Sequence, residues 1–188
     1  SSARNLRSNS SFTLGLIYDS LNAFYIANIQ NGVINVCDEY HYGLQILPIQ
    51  HNKSITVDEL INISVSSRIS GFIITPPFSE DIELIESLQK NDIPFVRLIS
   101  NGADDNTLSP LIHFDDVNVG YQLTQHLTEL GHKKIAFLWG QHSHRTSIAR
   151  HEGYVSVLKE NDIALNSQYV LEGEYTFQSG FERTKELL

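Results

Sequence analysis

The sequence predicts an α/β fold built on parallel sheets, and three observations predict it. Short apolar runs of four to seven residues alternate along the chain with longer segments whose apolar residues recur at helical spacing. The short runs are continuous rather than alternating, as in strands covered by helices on both faces. Turn signals fall between the two kinds of segment, among them Pro76-Pro77, Gly131 and an Asn-, Asp- and Gly-rich stretch from Ser100 to Pro110.

Each element has its own warrant. Thr13 to Tyr18 (TLGLIY) is a buried strand, followed by the turn and capping cluster Asp19-Ser20-Leu21-Asn22. From Ala23 to Tyr40, apolar residues at Ile26, Ile29, Val33, Val36 and Cys37 keep a helical period. Gly43 to Ile49 is a second strand, and Asp58 to Val65 a helix started by Ser54 or Thr56. Gly71 to Thr75 is a third strand, closed by two prolines that cannot continue a ladder. Asp81 to Gln89 is helical, Pro94 to Ile99 and Leu111 to Phe114 are strands, and Val117 to Leu130 is a helix. Gly131 stands where that helix needs a left-handed residue. Ile135-Ala136-Phe137-Leu138-Trp139 is then a buried strand, and Gly140 opens a polar loop at its carboxyl end, where open α/β sheets place ligands. A helix from about Ser147 to Glu160, a strand near Tyr169 to Leu171 and a helix from near Gln178 complete the chain. The last helix runs to Leu188 with no stop signal, so the chain is expected to be a fragment ending within a domain.

Composition narrows the function. The 188 residues are 41% hydrophobic, and no run of eighteen apolar residues could span a membrane. Ser1 to Ser11 has two arginines and no apolar signal-peptide core, and with Cys37 as the single cysteine the expected location is cytoplasmic. Cys37 reads as an inert buried thiol. The net charge is −9, and without the first eleven residues it is −11, from eleven basic and twenty-two acidic residues. Phosphate contacts need clustered Lys and Arg. Any contact with DNA must therefore come from the N-terminal arm or from a domain outside this chain.

Enzymatic motifs are missing. There is no GxSxG elbow, P-loop or GxGxxG fingerprint, and Asp115-Asp116 are adjacent rather than spaced across a substrate. His142-x-His144 brings two imidazoles together, but no carboxylate or cysteine joins them at metal-ligand spacing. Neither an enzyme nor a metal site is expected, and no cofactor.

Four ordered blocks carry a resemblance. They are Ala3-Arg4-Asn5-Leu6-Arg7 running into Thr13-Leu14-Gly15; Val117-Asn118-Val119-Gly120 leading to His126 and Gly131-His132-Lys133-Lys134-Ile135-Ala136; Arg150-His151-Glu152-Gly153-Tyr154; and Glu172-Gly173-Glu174-Tyr175 with Ser179-Gly180. Together they resemble the effector-binding core of the lac repressor family of bacterial transcription regulators, over nearly the whole chain. The resemblance implies a periplasmic-binding-protein-like type I fold: two Rossmann-like subdomains with parallel sheets, a ligand cleft between them, and the second subdomain incomplete here. It implies residues 1–11 as a hinge remnant, 12–116 as the N-terminal subdomain, and 117–188 as the crossover helix with part of the C-terminal subdomain.

The resemblance also implies roles. Arg150 matches the family's effector-binding arginine, and a guanidinium suits the bidentate hydrogen bonds that hold sugars. Thr146, one turn earlier, could reach the same cavity. Tyr175 and Phe114 match pocket aromatics, although either residue type also serves as plain core. Asn22 to Tyr25, including Phe24, would form the lip of the first subdomain. Asp116 is either a polar contact or the cap of the helix that follows. On this reading Arg150 faces a solvent-filled cleft, adding little to stability, with a surface ion pair as the other option. One departure stands out: where many members carry an aspartate near the end of the fourth strand, this chain has Arg97-Leu98-Ile99-Ser100. The usual hydroxyl acceptor is absent unless Ser100 or Asn101 replaces it, and Arg97 is as open to a structural role as to a ligand.

The implied partners are a small-molecule effector (a sugar or derivative), a second copy in a homodimer, and operator DNA. DNA would be read by a helix-turn-helix absent from this chain, with Leu6 wedging into the minor groove beside Arg4 and Arg7. Helices near Ala23–Tyr40 and Asp58–Val65 are the first candidates for the dimer face. A stand-alone solute-binding protein shares the fold and is the alternative; a sugar-metabolising α/β enzyme is a third option.

Overall fold

The computed structural model describes residues 12–19, 23–50, 53–100, 109–142 and 144–188. Leu6, Arg4, Arg7 and Asn22 lie outside the described residues. Contacts divide the rest into two units: the described residues up to Ile99 with 109–112, and those from His113 to Leu188.

The first unit is a five-stranded sheet in the order β2-β1-β3-β4-β5. β1 (Thr13–Asp19) sits between β2 (Gly43–Ile49) and β3 (Gly71–Ile74), parallel to both, and β3 pairs in parallel with β4 (Phe95–Ser100). β5 (Leu111–Phe114) closes the sheet. Leu16 and Ile17 are fully buried, which is why β1 reads as an unbroken apolar run.

Helices cover the sheet. Among the described side chains of α1 (Ala23–Tyr40), Ile26 and Cys37 are buried, with Ile29 and Val33 half-buried between them. Val36, counted with the apolar period in the sequence, is instead 56% exposed, one position off that narrow stripe. The burial that makes Cys37 inert also pushes its thiol above the ordinary range, with Asp38 adding to the effect. α2 (Val57–Ser67) is started by Thr56 rather than Ser54: Thr56 Oγ1 accepts from Glu59 N, and Thr56 N donates to Glu59 Oε2 at 2.8 Å. It stops at Arg68, in the left-handed region. α3 (Ile82–Lys90) is capped by Asp81, whose Oδ1 accepts from Leu84 N at 3.1 Å. Leu60, Ile85 and Leu88 are fully buried against Ile17, Phe72 and Ile74. Each such side chain contributes about 1.5–3 kcal/mol of burial.

Arg97 breaks the apolar pattern. It is the largest fully buried side chain among the described residues, and its Nη1 donates to the Ser79 carbonyl at 3.4 Å.

The second unit is smaller. α4 (Asp116–Glu129) is capped by Asp115, not Asp116: Asp115 Oδ1 accepts from Asn118 N at 3.0 Å. α4 ends before Gly131, whose φ of 88° satisfies the left-handed requirement. β6 and β7 (Phe137–Leu138, Val170–Leu171) form a parallel two-stranded sheet. This corrects the expectation of a buried five-residue strand from Ile135 to Trp139. β7 is the one neighbour that pairs with β6 among the described residues, so Ile135 is buried while Leu138 is 39% exposed. α5 (Arg145–Glu160) and α6 (Phe177–Leu187) follow their strands, and Thr176 caps α6. Ile135, Tyr154 and Leu158 form the core, with Tyr154 donating from Oη to the Ile135 carbonyl at 2.9 Å.

α4 and α5 cross in close contact because glycines meet there. A Cβ on Gly120 would overlap the Arg150 carbonyl, and one on Gly153 would overlap the Val117 carbonyl. The contact therefore needs both glycines, and it sets where α5 carries Arg150.

Candidate functional site

The site is built at the carboxyl end of β6, where the chain turns into α5. Arg150 lies one turn into α5, and Asp116 is the first residue of α4. The glycine-lined crossing brings the two side chains together, and Arg150 Nε donates to Asp116 Oδ1 at 2.8 Å. The pair is lopsided: the carboxylate side chain is 4% exposed and the arginine 43%. A buried carboxylate fixes one edge of the guanidinium, and much of the rest of the group meets solvent. Such a donor is held in place before any ligand arrives, which removes part of the entropic cost of binding.

A second cluster sits beside it. Ser147 is three residues before Arg150, hence on the same side of α5. Its Oγ lies 2.5 Å from Tyr175 Oη, and either atom could be the donor. Tyr175 lies so close across Gly140 that a Cβ there would overlap its ring. The His144 ring meets Tyr175 edge-on at 5.4 Å. Glycine at 140 is thus a space requirement of the aromatic lid over the strand end. Thr146, on the second residue of α5, is half-buried on this same turn.

Behind these lies an aromatic stack. The Trp139 indole carries His151 stacked at 4.2 Å and His142 tilted at 4.3 Å, while Phe137 meets His151 at 5.2 Å and Tyr154 at 5.1 Å. His151 Nε2 is buried without a hydrogen-bond partner. Burial, with the neighbouring His142 adding to it, lowers the His151 pKa from the ordinary histidine range, against a weaker opposing pull from Glu152.

The remaining predicted residues are more scattered. Phe114, at the end of β5, is 51% exposed and so is not plain core. Phe24, in the first turn of α1, belongs to the other unit and is 87% exposed. Among the described residues no group of three or more His, Cys, Asp or Glu could hold a metal ion. Sequence reasoning missed Ser147, Gly140 and Trp139 as site residues. Gly140 was visible as the loop opener, but nothing local signals that a tyrosine thirty-five positions later needs its missing side chain. The Asp116–Arg150 pair was equally hidden, because a helix crossing joins residues far apart in sequence.

Residues 11–188 match the family model described as periplasmic binding proteins and sugar binding domain of LacI family. The chain belongs to that family. Among its relatives is the HTH-type transcriptional repressor PurR of Actinobacillus pleuropneumoniae serotype 5b (strain L20), 29% identical over 187 residues, covering 99% of this chain and 54% of that protein. The chain spans about half the length of the relatives it matches. In fold it is similar to the transcriptional regulator CelR in its cellobiose complex, with a TM-score of 0.75 at 21% identity over 95% of this chain and 55% of that one. It is likewise similar to the lac repressor dimer bound to operator and the anti-inducer ONPF, with a TM-score of 0.76 at 23% identity over 99% of this chain and 63% of that one. The family carries the same α/β architecture of parallel sheets and helices described above.

Proposed function

We propose that this chain is the effector-binding core of a DNA-binding transcriptional regulator that acts as a repressor, and that its effector is a sugar or sugar derivative. The observation that carries this reading is Arg150, held by the buried Asp116 and presented at the carboxyl end of β6. That placement is where α/β sheets take ligands. The family description names a sugar-binding domain, and the PurR relative is a repressor.

Arg150 then gives a two-pronged donor to adjacent hydroxyls or to a carboxylate or phosphate substituent. Tyr175, Thr146 and Phe114 are the further ligand contacts that the second unit offers on this reading. Asp116 acts through Arg150 rather than by touching the ligand. Operator DNA is read by a helix-turn-helix outside this chain, with Leu6, Arg4 and Arg7 in the hinge. The working state is a homodimer, since symmetric half-sites call for a two-fold protein. No catalysis is assigned to it, and the cytoplasm is its location. No helix among the described residues is long and apolar enough to cross a membrane.

The family description also embraces periplasmic binding proteins, which keeps a stand-alone sugar-binding role as the second reading. Regulation requires that the effector bind two states with different affinity and that the coupling be reciprocal. The deciding experiment measures binding of the full-length protein to its own upstream region, with and without a panel of mono- and disaccharides and their phosphates. Operator affinity that shifts with one of them supports the regulator; sugar binding with no DNA binding at any salt concentration supports the alternative.

A further inference from the structure

His142 lies beside the tilted Trp139 indole, with a ring-centroid distance of 4.3 Å, and its Nε2 is 3.3 Å from Glu172 Oε1 just beyond β7. A neutral imidazole can still donate one hydrogen bond and pack on the ring. A charged one is attracted both by the carboxylate and by the face of the indole. We propose that His142 is a proton-operated latch: when charged, it ties the segment leaving β6 to the end of β7 through Trp139 and Glu172, and when neutral it lets that segment loosen.

Other charged groups surround the pair. Arg183 of α6 is hydrogen-bonded to Glu186, and Glu172 adds only weakly to the negative charge around it. On α5, His151 packs on the same indole with Glu152 near it, and its buried Nε2 has no partner to stabilise a charge. His142 is exposed and has a carboxylate within reach, whereas the buried Nε2 of His151 has none. His144 and Arg145 follow along the chain and lead into α5. The segment under control is therefore the one that positions the start of α5, with Thr146 and Arg150. A pH-dependent effector affinity follows, and that consequence alone rests on the function proposed above.

Trp139 is the only tryptophan in the chain, so its emission reports the latch directly and without any ligand. An imidazolium quenches indole emission more strongly than an imidazole. In the full chain, lowering the pH from about 8 to about 5, the span over which histidine changes charge, should quench Trp139. His142→Gln should abolish most of that quench, and His151→Phe should retain it. Hydrogen-exchange protection of the Gly140 to His142 amides, corrected for intrinsic rates, should rise on acidification and stay flat in His142→Gln. Glu172→Gln, which removes the carboxylate that the charged ring meets, should weaken that rise in protection. A full quench in His142→Gln, or its loss in His151→Phe, would place the proton elsewhere and overturn the latch. If these ligand-free results hold while no sugar binds, the effector reading fails and the latch stands.

Discussion

Arg150 Nε donates at 2.8 Å to Asp116 Oδ1, and the carboxylate it meets is 4% exposed. The relationship changes what a substitution at Arg150 does. The sequence reads Arg150 as facing a cleft, where truncation hardly changes stability, with a surface ion pair as the other option. Paired as it is, its removal takes a charge-assisted partner from a buried carboxylate, at a cost of about 1–3 kcal/mol. Half-exposure of the arginine keeps the figure near the lower end, because water can reach part of the gap. Arg150→Ala should therefore lower the melting temperature without ligand, and Arg150→Lys, which keeps a cation, should lower it less. Equal melting curves for wild type and Arg150→Ala would show that the pair adds nothing.

Helix contact makes the next prediction. Gly153→Ala puts a methyl group into the Val117 carbonyl, so α4 and α5 must separate. Overpacking of this kind costs about 1–3 kcal/mol. Moving α5 also moves Arg150 from Asp116, so thermal stability should fall together with any ligand affinity. Gly32→Ala, on an open helix face of the other unit, is the control: nothing lies within reach of a Cβ there, and stability should be unchanged or slightly raised.

Tyr175→Phe removes one partner of the 2.5 Å contact with Ser147 Oγ while keeping the ring over Gly140. The expected loss is about 1 kcal/mol, the ordinary net worth of a hydrogen bond. Gly140→Ala should cost more than Tyr175→Phe, because it displaces the whole ring. Chemical denaturation of the two variants orders them, and the reverse order would contradict the lid geometry.

Acid should weaken the fold through His151. Its folded-state pKa is lowered, chiefly by burial, so the unfolded chain takes up the proton more readily. Its contribution is complete above the ordinary histidine range near 6.5, and it fades as pH falls below that value. His151→Phe keeps the aromatic packing without a titratable ring. The variant should lose less stability than wild type between about pH 7 and pH 5. Parallel pH profiles would show that His151 takes up a proton as readily in the folded chain as in the unfolded one.

Elements were easier to read from the sequence than the site. Thr13 to Tyr18, Ala23 to Tyr40 and Gly43 to Ile49 announce themselves by period and by Gly or Asn punctuation, because local sterics and burial act along the chain; the first strand runs one residue further, to Asp19. The capping of α2 needed structure to choose Thr56, since Ser54 carries a hydroxyl too. β6 misled because five apolar residues look alike whether a strand has two neighbours or one. Arg150, Thr146 and Tyr175 could be singled out by residue type and by resemblance. Asp116 could be singled out as well, but its pairing with Arg150 could not, nor could Ser147 and Gly140 as neighbours of Tyr175, because those relationships arise only when α4 crosses α5 and the chain after β7 returns over β6. Buried Arg97 is a similar case: one of its partners inside the first unit is the Ser79 carbonyl, eighteen residues away.

The account rests on Arg150 as a ligand donor held ready by Asp116, and calorimetry on the full-length protein tests it most directly. Titrated with the sugar or sugar phosphate that binds the wild type, Arg150→Ala and Arg150→Lys should each lose roughly 2–5 kcal/mol of binding free energy, about thirtyfold or more in affinity. Arg150→Lys should fail despite its charge, because it lacks the planar fork. If both variants, folded by circular dichroism, bind that ligand with wild-type affinity, Arg150 is a structural half of an ion pair and the binding site lies elsewhere.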